Sequence, residues 1–170
     1  MIGNIRKEKY YVGIDPSLTG TAISILDYNG KLIDEKLIET KQDWYVCNEQ
    51  RIDDIFNSLK YISYIKNLEL VYIEGLAYNV ISTTKYERAG LQYMIRILLF
   101  NNNIEFYEVP PKTLKKWSVG NGNANKKQMM EGVEKRWGIK YINDNLCDAF
   151  CLAKMAKEGY ISKINTTKFK

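Results

Sequence analysis

Hydrophobic positions along the chain alternate between two periods, and that alternation predicts a mixed α/β architecture. Residues 10–14 form a short apolar run that stops at Asp15, and residues 21–26 form a second run. Between them and a third run at 32–38 stands Asp27-Tyr28-Asn29-Gly30, whose Asn-Gly pair favours a tight hairpin turn. The period then lengthens. Ile52, Ile55, Phe56, Leu59, Ile62 and Ile65 recur at helical spacing and predict a helix over 48–65. A fourth strand is predicted at 70–73, stopping at Glu74-Gly75. A helix over 83–100 carries Ala89, Tyr93, Ile97 and Phe100 on one stripe, with Leu91, Met94, Ile95 and Leu98 as a second apolar stripe beyond core needs. A fifth strand is predicted at 104–109, closed by Pro110-Pro111, followed by helices over 113–117, 125–137 and 144–157. The order β-β-β-α-β-α-β-α-α-α contains no internal repeat or linker. It predicts one domain over residues 1–160, with a polar, lysine-bearing tail at 161–170 that is free to be disordered.

Composition changes this picture at three points. With 170 residues, 45% hydrophobic and 26% charged, the chain has the size and balance of one globular domain. No run approaches the roughly 20 apolar residues of a membrane span, and residues 1–10 lack the apolar core of a secretion signal, so a cytoplasmic protein is expected. Cys47, Cys147 and Cys151 follow no framework pattern and read as small buried side chains, reduced in the cytoplasm. The count of zero histidines removes Ser-His-Asp and Cys-His catalysis together with imidazole zinc sites. Hydrolysis near neutral pH then points to a carboxylate-held metal ion. The net charge is +5, and Lys112, Lys115, Lys116, Lys126 and Lys127 fall in one short stretch, which suits a phosphate-bearing partner.

The acids sit where that chemistry needs them. Asp15 ends an apolar strand ahead of the Pro16–Gly20 turn, and Glu74 repeats the arrangement before Gly75. A buried carboxylate is costly without a cation or donors to compensate it. Asp144, Asn145 and Asp148 stand at i, i+1 and i+4 and can share a helical face. Asp144 is a natural N-cap, whereas Asp148, a turn deeper among apolar residues, is poorly explained by capping. Several carboxylates meeting at one spot repel one another unless divalent cations join them, and Mg²⁺ prefers oxygen ligands.

At these residues the chain resembles the RuvC family of Holliday-junction resolvases, members of the RNase H-like superfamily. The segments that carry the resemblance are Gly-Ile-Asp-Pro-Ser-Leu-Thr-Gly-Thr-Ala (13–22), Ile-Glu-Gly (73–75), Val-Pro-Pro-Lys-Thr-Leu-Lys-Lys-Trp (109–117), Gly-Asn-Gly-Asn-Ala-Asn-Lys (120–126) and Asp-Ala-Phe-Cys-Leu-Ala (148–153). It looks most like the short resolvases of bacteriophages and low-GC bacteria. The resemblance implies an RNase H-like mixed five-stranded sheet with helices on both faces. It also implies a homodimer that nicks a four-way DNA junction symmetrically with two Mg²⁺ ions per site, Mn²⁺ substituting. The family's catalytic acids fall on Asp15, Glu74 and Asp148. Where the family usually has a further acid this chain has Asn145, so the fourth ligand is either Asn145 through its carbonyl or the neighbouring Asp144. Lys115 and Lys126 match lysines that face scissile-strand phosphates, with Lys112, Lys116 and Lys127 reinforcing the patch. An aromatic wedge that follows the Glu in some members would fall on Tyr78, and the helix over 83–100 is the family's dimer element.

Three other readings fit parts of the pattern. One is a branched-DNA-binding protein without catalysis, and another is an RNA–DNA hybrid nuclease on the same fold. The third rests on the Asp15 turn, which also resembles the phosphate loop of the actin and sugar-kinase superfamily. That group needs two such domains, and this chain has one copy.

Overall fold

The computed structural model describes residues 8–76 and 85–160. Five strands form one sheet: β1 (Tyr10–Asp15), β2 (Gly20–Asp27), β3 (Leu32–Glu39), β4 (Leu68–Glu74) and β5 (Phe106–Val109). Their spatial order is β3-β2-β1-β4-β5. β1, β2 and β3 pair antiparallel through short turns, whereas β4 lies parallel to β1 and β5 parallel to β4. Parallel pairing requires a crossover, and the helices provide it: α1 (Asn48–Leu59) precedes β4, and α2 (Lys85–Asn101) precedes β5. α3 (Pro111–Val119), α4 (Lys126–Trp137) and α5 (Asp144–Lys157) follow. No helix among the described residues is long and apolar enough to cross a membrane. The α/β class, the mixed five-stranded sheet and the helices on both faces agree with the sequence-based expectation.

Each strand divides its side chains between two layers, as a period of two requires. Val12, Ile14, Val71 and Ile73 join the core beneath α1 and α2, while Leu70 and Tyr72 join the core beneath α3, α4 and α5. Asp15 and Glu74 therefore continue the α5-facing rows of β1 and β4. Close packing reinforces this. A Cβ on Gly13 would overlap the Ala149 carbonyl and the Ala153 amide, so only glycine lets α5 lie directly on β1.

Two expectations change. The helix predicted over 48–65 ends at Leu59 and tightens into a 3-10 segment, Lys60–Tyr64. More consequentially, the two stripes of α2 are exchanged. Leu91, Ile95, Leu98 and Leu99 are buried and Met94 packs against them, whereas Tyr93, Ile97 and Phe100 are 59%, 53% and 55% exposed. Periodicity identifies two apolar stripes but does not say which of them meets the sheet.

Candidate functional site

The register of the central strands brings the acids together. Ile14 pairs with Ile73, so the next residues, Asp15 and Glu74, end two adjacent strands on the same face. α5 approaches this edge with its N-terminal turn. Asn143 caps the helix by accepting from the Leu146 amide at 3.0 Å. This corrects the expectation that Asp144 is the cap, and it frees the Asp144 carboxylate for other contacts. A cleft of about 410 Å³ lies between these elements, lined by Asp15, Glu74, Asp144, Asn145 and Asp148. Lys115, Lys126, Arg88, Pro16 and Ser17 complete much of its wall.

Burial and mutual repulsion raise the affinity of Asp15, Glu74 and Asp148 for protons. Asp15 is only 6% exposed. Desolvation pushes its pKa up to about 6, with the neighbouring Asp144 charge acting in the same direction. Burial also pushes Asp148 up to about 7, aided by Asp15 and opposed by the Lys115 ammonium. Glu74 is raised well above the ordinary range, first by burial and then by the charges of Asp15 and Asp148. Its hydrogen bond with the Asp15 carboxylate acts in the same direction and draws Asp15 the opposite way, so the pair favours the proton on Glu74. Among the described residues, no three acidic or thiol groups are already drawn into one coordination sphere. Asp15 and Glu74 are engaged with each other, and Asp144 is turned to an ion pair with Lys126. Buried carboxylates crowded against one another are a set a cation would stabilise. With oxygen donors and no imidazole, they fit a hard divalent ion of the Mg²⁺ or Mn²⁺ kind.

The lysines separate into two groups. Lys115 is half-buried in α3 and reaches the cleft, as does Lys126 at the start of α4. Lys112, Lys116 and Lys127 are exposed and do not line the cleft, and Lys127 pairs with Glu131 at 3.7 Å. The loop joining α3 to α4 is set by glycine. Gly120 is left-handed with φ 79°, and Gly122 packs so close to the Lys112 carbonyl that a Cβ would stand 3.0 Å from it. Asn125 then caps α4 in a reciprocal box with Gln128, which fixes where Lys126 begins.

Asn145 sits at the cleft edge, and its amide Nδ2 donates to the Gly20 carbonyl at 2.8 Å, tying α5 to the turn that follows Asp15. Tyr78 lies outside the described residues. Sequence reasoning missed Arg88, which stands in the first turn of α2 and whose charge draws the Asp15 pKa down. It belongs to neither apolar stripe nor basic cluster, so only the crossing of α2 over the sheet end reveals it.

The family model described as "Crossover junction endodeoxyribonuclease RuvC" matches residues 11–155. A curated protein of that description from Brachyspira hyodysenteriae is 32% identical over 145 residues, covering 84% of this chain and 89% of its own length. Another from Caldicellulosiruptor saccharolyticus is 28% identical over 148 residues, covering 84% and 88%. Among solved structures, Thermus thermophilus RuvC in complex with Holliday junction substrate superposes with a TM-score of 0.70 at 18% identity, over 85% of this chain and 90% of that one. Fowlpox virus resolvase, solved with Holliday junction DNA, gives 0.55 at 16% identity over 87% and 98%. A profile that spans nearly the whole described fold and a relative above 30% identity agree: this chain belongs to the RuvC family of crossover junction endodeoxyribonucleases.

Proposed function

We propose that this chain, acting as one nuclease domain over residues 1–160 in the cytoplasm, resolves four-way DNA junctions by paired hydrolytic nicks. The observation that carries the reading is the cleft itself, where carboxylates from β1, β4 and α5 meet beneath Lys115, Lys126 and Arg88. Asp15, Glu74 and Asp148 hold Mg²⁺, with Asp144 at the rim as the further acid. The bound cation supplies charge neutralisation and water activation. Lys115 and Lys126 receive the scissile phosphate from the α3 and α4 side, and Arg88 approaches it from α2. Asp144 holds Lys126 at the mouth of the cleft until a phosphate replaces it. Exposed Lys112, Lys116 and Lys127 extend the positive surface along the flanking duplex.

Paired nicking requires two copies, and the reading includes a homodimer built on α2. Tyr86, Gly90, Tyr93, Ile97 and Phe100 fall within one narrow arc of the helix. Tyr86 is 88% exposed, and a Cβ on Gly90 would meet nothing within 4 Å. An outward apolar face of this kind is typical of association.

The test uses an end-labelled four-way junction, a linear duplex and an RNA–DNA hybrid, each with and without Mg²⁺. Symmetric, metal-dependent nicks in the junction alone support the proposal. Cutting of the hybrid assigns the same cleft to RNA removal, and junction binding without cutting makes the protein a binding module. A second expected result concerns Asn145. An acid there restores the family pattern on paper, but a carboxylate would face the Gly20 carbonyl oxygen with no proton between them. Asn145→Asp should therefore lower the junction cleavage rate about tenfold and reduce Tm, consistent with the loss of about 1.4 kcal/mol of transition-state stabilisation. Faster cutting by this variant would show that Asn145 holds a ligand position.

A further inference from the structure

The turn from Pro16 to Gly20 forms one wall of the cleft, with Pro16 and Ser17 at its surface. It is held from inside by its own neighbours. The Ser17 amide donates to the Thr21 hydroxyl at 3.1 Å, and that hydroxyl donates back to the Ser17 carbonyl at 2.6 Å. From the other side it is held by Thr40, just past the end of β3. The Thr40 amide donates to the Thr19 carbonyl at 3.3 Å, and its hydroxyl donates to the Leu18 carbonyl.

Behind Thr40 lies Arg51 of α1, only 4% exposed. Its Nε donates to the Thr40 hydroxyl oxygen at 2.7 Å, its Nη2 to the Thr40 carbonyl at 3.2 Å and its Nη1 to the Gln42 side-chain oxygen at 2.7 Å. All three acceptors are neutral oxygens. Burying a guanidinium without a carboxylate is an expensive way to join a helix to a strand, and a hydrophobic residue would pack there at lower cost. The geometry gives it a more specific task. A hydroxyl has one proton, and once Thr40 accepts from Arg51 that proton is directed at Leu18.

We infer that Arg51 and Thr40 are positioning residues that fix the turn after Asp15, and with it the wall against which the scissile strand is seated. Neither residue touches the cleft. Arg51 orients the Thr40 hydroxyl, and Thr40 holds the Leu18 and Thr19 carbonyls. The inference rests on the reading of the Asp15 cleft as the cutting site.

The experiment compares wild type with Thr40→Val, Thr40→Ser and Arg51→Lys, using junction cleavage, junction affinity and amide hydrogen exchange. Thr40→Val keeps shape and removes the hydroxyl. It should lower kcat at least tenfold and leave the junction Kd within twofold. Exchange should rise in a peptide covering residues 16–20 but not in Val12 to Ile14. Thr40→Ser keeps the hydroxyl and should restore both. Arg51→Lys keeps the charge without the fork and should behave like Thr40→Val. An unchanged kcat in folded Thr40→Val, or exchange that rises evenly through β1 to β3, would overturn the inference and leave the pair as ordinary packing. If the wild-type chain cut no junction, the functional reading would fall, and the exchange pattern would still decide whether Arg51 and Thr40 hold the turn.

Discussion

Asp15→Asn is expected to slow junction cleavage by roughly a thousandfold, about 4 kcal/mol of transition-state stabilisation, while junction affinity stays the same or improves. The carboxylate lost is the most enclosed acid of the cleft, and an amide offers a cation one neutral oxygen in its place. Affinity should be spared because the proposed DNA contacts are made by the lysines, and one negative charge fewer would face the phosphates. The same substitution should stabilise the metal-free protein at about pH 8. In the fold Asp15 and Asp148 ionise at about 6 and about 7, above the ordinary 3.8. Between these values the folded chain binds more protons than the unfolded chain, so stability is greatest at acid pH and falls as pH rises through them. Thermal melts of wild type should show Tm declining from about pH 5 to pH 8, with Mg²⁺ recovering it at the upper value only. Asp15→Asn should flatten that decline. Full cutting by the variant, or a Tm that climbs with pH and ignores Mg²⁺, would remove these acids from the metal site.

Ile97→Asp should raise the dimer dissociation constant about a hundredfold, about 2.7 kcal/mol, and convert paired nicking into single nicks. A twofold interface presents each substituted residue twice, so two carboxylates would lose water in the proposed interface. Sedimentation velocity across a concentration series reads the association. The ratio of resolved duplex to singly nicked junction reads its consequence. The fold should survive, because Ile97 points away from the sheet while Leu91, Ile95, Leu98 and Leu99 hold α2 in place. A variant that remains dimeric at the wild-type concentration would move the interface to another surface.

α2 also marks the boundary of what periodicity can reveal. Both of its stripes are apolar at helical spacing, and the stripe that reads as the core is the one that faces outward. Local sequence cannot decide this, because the choice depends on how the helix is rotated over strands that lie far away in the chain. The same holds for Asn145. Its place in a motif suggests a ligand through its carbonyl oxygen, and only the tertiary structure adds that its Nδ2 donates to the Gly20 carbonyl. Arg51 and Arg88 were equally silent, since a lone arginine in a polar run gives no sign of burial or of the cleft it will meet.

By itself the sequence determined the five strands, the helices that follow them and the two strand-end carboxylates. These depend on short-range signals: an apolar run of period two, a polar stop, and a turn pair such as Asn29-Gly30. It determined the oxygen-rich chemistry too, because a chain without histidine has few other ways to hold a metal. Tertiary structure alone decided which acids converge, which two of five lysines enter the cleft, and which face of α2 turns away from the sheet. Those outcomes are set by the β1–β4 register and by the angles at which α2 and α5 cross the sheet. Both are contacts between residues dozens of positions apart, and no local pattern encodes them.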